Sequence, residues 1–93
     1  MEPVRATGTA TLRYWAAARE AAGTAEEQTD AVTLAAALST AVAERGVDGD
    51  RLARVLLRCS FLVDGRQVGK RDPGTVPLDP GAVVEILPPF AGG

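Results

Sequence analysis

Hydrophobic and polar residues alternate from Thr9 to Trp15, with Ala10, Leu12 and Tyr14 on one side and Thr11, Arg13 and Trp15 on the other. A period of two predicts a strand. Tyr14 and Trp15 on such a first strand are expected to serve core or edge packing before any interface. Ala16 to Ala22 are strong helix formers, and Gly23 stands where a glycine closes a helix, so a short helix follows. Glu26 to Asp30 is polar and suits an edge strand, where charge discourages unwanted pairing. Thr33 is a candidate N-cap for a helix running to Arg45 and stopped by Gly46. Leu34, Leu38 and Val42, with Ala37 and Ala41 beside them, form an apolar stripe that would face a sheet.

A second helical pattern spans Asp50 to Leu57, with Leu52, Val55 and Leu56 on one side. Arg51, Arg54 and Arg58 occupy the remainder and are expected to form a solvated face rather than an anion site. Cys59 to Val63 is β-rich, and Asp64-Gly65 is a two-residue hairpin signal of the kind that needs positive φ. Arg66 to Gly69 would be the return strand. Lys70 to Pro77 is predicted as a loop turning at Asp72-Pro73-Gly74, and Asp79-Pro80-Gly81 turns the chain again. The prolines at 77, 80, 88 and 89 cannot sit in a central ladder, which confines the last strand to about Ala82 to Leu87. Met1 to Thr7 has no periodicity and is expected to be a loose start. The order is strand, short helix, strand, long helix, helix, hairpin, loop, strand: an α+β chain whose sheet is covered on one face by the Leu34 helix.

Composition narrows the function classes. Ninety-three residues with 46% apolar content suit one small domain. Twelve acidic and ten basic side chains give a net charge of −2 without a basic block, which disfavours nucleic acid. No apolar run approaches a membrane span and Met1-Glu2-Pro3 lacks a signal pattern, so a cytoplasmic protein is expected. The sequence has no histidine, which removes Ser-His and Cys-His nucleophilic arrangements and the commonest metal ligand. Cys59 is the single cysteine; it is expected to be a small buried strand residue rather than a nucleophile. The chain is therefore not expected to perform catalysis by itself.

Its chemistry is expected at the end. Gly92-Gly93 follow Pro88-Pro89-Phe90-Ala91 and the apolar run Val83-Val84-Glu85-Ile86-Leu87. A main-chain carboxylate on a thin glycine tip can enter a narrow partner site that a side chain would block. From Pro88 to Gly93 the arm reaches at most about 20 Å at 3.3–3.6 Å per residue. The two prolines keep its root extended and limit the entropy lost on threading.

Arg13-Tyr14-Trp15-Ala16-Ala17-Ala18-Arg19-Glu20-Ala21-Ala22-Gly23 and Leu87-Pro88-Pro89-Phe90-Ala91-Gly92-Gly93 resemble the small subunit of molybdopterin synthase, within the MoaD/ThiS family of ubiquitin-like sulfur carriers. The resemblance spans about Thr9 to Gly93. It implies a β-grasp fold over 1–93: a mixed sheet of about five strands, a main helix across it, the last strand parallel to the first, and 88–93 projecting as an arm. It further implies that an activating enzyme, a ubiquitin-activating-like adenylyltransferase, uses ATP to adenylate the Gly93 carboxylate. A sulfur donor then displaces AMP to leave a thiocarboxylate. The sulfur passes to the pterin precursor on the molybdopterin synthase large subunit, in molybdenum cofactor biosynthesis. Carried onto this sequence, Gly93 bears the sulfur, Gly92 permits passage, and Pro88, Pro89, Phe90 and Ala91 line the arm as partner-binding residues. Phe90 is expected to anchor in a partner pocket rather than fold back on its own sheet. No bound cofactor is implied. The same chemistry would also serve a carrier for thiamin, cysteine or a specialised metabolite, and the same terminus a protein modifier joined through Gly93 to lysines.

Overall fold

The computed structural model describes residues 9–89. Five strands and three α-helices follow one another along the described residues: β1 Ala10–Tyr14, α1 Ala16–Ala22, β2 Glu26–Thr29, α2 Leu34–Ala43, α3 Gly49–Leu56, β3 Ser60–Val63, β4 Arg66–Gln67 and β5 Val83–Leu87. The strands form one sheet in the order β2-β1-β5-β3-β4. Only the β1–β5 pair is parallel, in the register Thr11↔Val83 to Tyr14↔Ile86; the other pairs are antiparallel. The last strand thus lies in the middle of the sheet beside the first, which is the β-grasp arrangement.

The period of two decides which face is covered. Ala10, Leu12 and Tyr14 of β1 are buried with Val84 and Ile86 of β5, and the helix residues Ala18, Ala21, Leu34, Ala37, Ala41 and Leu52 join the same core. Completely burying a leucine such as Leu34 or Leu52 stabilises the fold by roughly 2 kcal/mol. Ala37 and Ala41 are the small residues that let α2 approach the sheet closely. The stripe is therefore centred on Leu34, Ala37 and Ala41, while Leu38 and Val42 flank it half-buried. Leu52 is the buried apolar side chain of α3, with Val55 and Leu56 at the core's margin.

Local chemistry sets the boundaries. The Thr33 hydroxyl accepts from the Ala36 N–H at 3.2 Å and caps α2. That helix ends at Ala43, two residues earlier than the pattern predicts, because the chain tightens there into a 3-10 turn over Gly46–Asp48 that leads directly into α3. Asp64 and Gly65 both have positive φ, as the hairpin signal requires. The return strand is shorter than predicted, only Arg66–Gln67, since Gly69 at φ +61° already turns the chain away. The loop between 70 and 80 is ordered: Asp72 accepts from the Gly74 N–H, and backbone bonds from Leu34 to Val76 and from Leu78 to Val32 stitch it to the start of α2.

A polar network fastens β1, β2 and the ends of α1 and α2. The Tyr14 hydroxyl donates to the Glu27 carboxylate at 2.5 Å, and Arg45 meets the same carboxylate at 3.0 Å. Arg45 also donates to the carbonyls of Ala22 and Ala41, and its guanidinium lies 5.7 Å from the Tyr14 ring centroid. Burial and the Glu27 acceptor push the Tyr14 phenol well above its ordinary value, so it stays a neutral donor.

Helix α3 meets α2 through a glycine. A Cβ added at Gly49 would fall onto the Val42 carbonyl oxygen, so the backbones can approach only without a side chain there. Gly49→Ala is expected to destabilise the protein by about 1–3 kcal/mol through overpacking. Urea denaturation measures it, and an unchanged midpoint would refute the close contact.

Candidate functional site

The site is built on the end of β5. That strand is held on both sides: β1 pairs with it in parallel and β3 in antiparallel, as far as Ser60↔Leu87. Two further backbone bonds bracket the parallel pair, from the Thr11 N–H to the Ala82 carbonyl at 2.9 Å and from the Trp15 N–H to the Ile86 carbonyl at 3.2 Å. Leu87 ends the ladder. Pro88 is half-buried and Pro89 exposed; having no N–H, neither can continue strand pairing as a donor. The arm therefore leaves from the central strand of the sheet, which is paired on both edges. Phe90 and Ala91, predicted to bind the partner, Gly92, predicted to permit passage, and Gly93, the predicted reactive terminus, lie outside the described residues.

Around the arm's root, the sheet face opposite the helices carries partly exposed Thr11, Arg13, Leu62, Val83, Glu85 and Leu87. Trp15 borders this face. It ends the strand in extended conformation as the residue before α1, and its indole N–H donates to Glu85 at 3.2 Å. At 46% exposure the Trp15 side chain packs at the edge of this face and leaves part of its ring open, while Tyr14, at 2%, lies in the core, so the expected core or edge packing describes both. The alternation itself puts Trp15 on this side with Thr11 and Arg13, and its N–H still bonds into the ladder before the turn at Ala16 (φ +48°) starts α1. Leu62, Val83 and Leu87 were not singled out in the sequence. A signal was present, since β5 is apolar at Val83 and Leu87 as well as at Val84 and Ile86, the pattern of a strand apolar on both faces.

The described residues contain no group of three or more His, Cys, Asp or Glu able to hold a metal ion, and no helix among them is long and apolar enough to cross a membrane. Arg51, Arg54 and Arg58 lie exposed on α3 and the turn after it, and no carboxylate of the described residues pairs with them.

Residues 12–93 match the ThiS family. The chain belongs to that family of ubiquitin-like sulfur carriers. No curated protein matches the sequence. Among solved structures, the ThiS-family chain is similar to the HVO 2177 protein of Haloferax volcanii (29% identity, 100% of this chain and 93% of that one, TM-score 0.72). It shares its fold with the small archaeal modifier protein 1 of Methanosarcina acetivorans (20% identity, 94% and 98% coverage, TM-score 0.75). The same holds for one chain in the complex of subunits 1 and 2 of the molybdopterin-converting factor of Helicobacter pylori (21% identity, 91% and 99% coverage, TM-score 0.63).

Cys59 precedes β3 rather than lying in it. It is half-buried, and its thiol donates to the Val55 carbonyl at 3.3 Å. Burial pushes the thiol above its ordinary value, which disfavours the thiolate a nucleophile needs. Alkylation of the native protein at neutral pH should accordingly be slower than that of free cysteine, and Cys59→Ser should keep sulfur transfer at a cost of about 1 kcal/mol in stability. A variant that melts normally yet cannot pass on sulfur would make Cys59 a relay thiol.

Proposed function

We propose that this ThiS-family protein is a sulfur carrier whose Gly93 is the reacting terminus. What carries the reading is the placement of β5: a strand locked in the middle of the sheet whose continuation is Pro-Pro-Phe-Ala-Gly-Gly. A free carboxylate is a poor electrophile, because it is negatively charged and its leaving group would be oxide. An adenylyltransferase using ATP would convert it to an acyl-adenylate, with pyrophosphate leaving. A sulfur donor would then attack the acyl carbon and release AMP, giving a C-terminal thiocarboxylate. The chain contributes the anchor, the reach and the thin tip; catalytic side chains come from its partners.

For the recipient of the sulfur we propose the pterin precursor on a molybdopterin synthase large subunit. The motifs at Arg13–Gly23 and Leu87–Gly93 support this reading, as does the shared fold with the molybdopterin-converting factor complex. The large subunit would dock on the open sheet face, where Trp15, Leu62, Val83 and Leu87 surround the arm's root, and Pro88, Pro89, Phe90 and Ala91 would line its channel. The likeness to small archaeal modifier protein 1 favours, as a second reading, conjugation of the same activated terminus to amines.

Deleting Gly93, or extending the chain beyond it with an uncleavable tag, should leave the melting temperature unchanged and abolish molybdopterin formation in an assay reconstituted with the large subunit and the precursor. Binding to the large subunit should weaken only modestly, since the sheet face survives. Molybdopterin formation by the extended chain would refute the terminal-carrier reading.

A further inference from the structure

We infer that Lys70 is the acyl acceptor of this chain, the side chain on which an activated Gly93 lands when no sulfur donor intercepts it. The inference rests on the reading that Gly93 is activated, and it assigns a modification site outside the carrier arm. The sequence contains nine arginines and one lysine. A guanidinium stays protonated and is no nucleophile under ordinary conditions, whereas a lysine ε-amine attacks acyl groups once it has lost a proton. Lys70 is thus the one side-chain amine of these 93 residues.

Its setting presents that amine. Val68 to Arg71 form a tight turn: Gly69 takes φ +61°, and the Arg71 N–H bonds back to the Val68 carbonyl at 3.3 Å. The Arg71 guanidinium fastens the turn by donating to the carbonyls of Val68 and Gln67, each at 3.1 Å. Lys70 sits exposed at the tip, unpaired with any carboxylate of the described residues, and the neighbouring Asp72 is occupied by the Gly74 N–H at 2.9 Å. Beside it lies a depression of about 320 Å³ lined by Cys59, Phe61, Gly69 and Pro73, room for a slender peptide end.

The register also brings Lys70 to the correct end of the sheet. The Val68 N–H bonds to the Phe61 carbonyl, and Phe61 pairs with Ile86, so the turn lies at the end where β5 gives way to the arm. Two strand spacings, about 10 Å, separate the β4 side from β5. An arm reaching at most about 20 Å covers that distance within one chain, and a second copy covers it between chains. In the step itself the free ε-amine attacks the carbonyl carbon of the Gly93 acyl-adenylate. The C–N bond forms, the C–O bond to AMP breaks with its electron pair, and the amine's proton passes to solvent.

The test incubates the full chain with ATP and a carrier-adenylating enzyme, without a sulfur donor, and reads intact mass and tryptic fragments. The expected product is a linked dimer, or a monomer lighter by one water, in which the tryptic piece beginning at Asp72 and ending at Gly93 remains attached to Lys70. Lys70→Arg should lose this product entirely while releasing pyrophosphate and melting as the wild type does. Adding a sulfur donor should reduce it in the wild type. Adenylate formation without a Lys70 linkage, or with the linkage on another residue, overturns the inference and leaves the carrier reading standing. Absence of adenylation in the wild type overturns both.

Discussion

The parallel ladder between β1 and β5 is the constraint on which the rest of the molecule depends. It joins the first strand to the last, so it closes only after the whole intervening chain has been brought back on itself, at an entropic cost that local elements do not incur. What offsets that cost is the covered face: Leu12, Tyr14, Val84 and Ile86 lie on the two paired strands, and all are buried under the helices. Weakening the ladder would loosen core and arm root together, because the same strand supplies both. Position in the sheet is therefore a functional property of β5.

The other elements protect that pair. β2 covers the free edge of β1 and presents Glu26 and Gln28 to solvent, while the short β4 ends the opposite edge after two residues. The Tyr14–Glu27–Arg45 network fastens the β2 side to the ends of α1 and α2, with the phenol kept neutral by burial and by its carboxylate acceptor. The helices occupy one face only. The other is left partly apolar beside the arm, suited to a partner that must hold the carrier while its terminus reacts.

Much of this was legible in the residues. Alternation marked β1 and its buried side, Thr33 and Gly23 marked helix ends, and Asp64-Gly65 marked the hairpin. These signals act over a few residues and need no tertiary context. What the residues hid was decided by tertiary packing or by a single backbone turn. The return strand was expected to run from Arg66 to Gly69, but it stops at Gln67 because the positive φ at Gly69 turns the chain away. Gly49 gave no sign in the sequence that another helix's carbonyl would lie against it. Leu62, Val83 and Leu87 became a surface only when the strands were placed in register and the helices had all gone to the opposite face. The Gly-Gly ending was the motif from which a reacting terminus was expected, an expectation that rests on covalent chemistry and reach rather than on packing.

The central claim, that the chain's chemistry resides at its terminus, is tested most directly by the intact mass of the wild-type protein after incubation with ATP, a carrier-adenylating enzyme and a sulfur donor. The account predicts the exchange of one oxygen for one sulfur, localised by fragmentation to Gly93 and dependent on ATP. An unchanged mass under conditions in which a known carrier is converted, or sulfur found on Cys59, would contradict it.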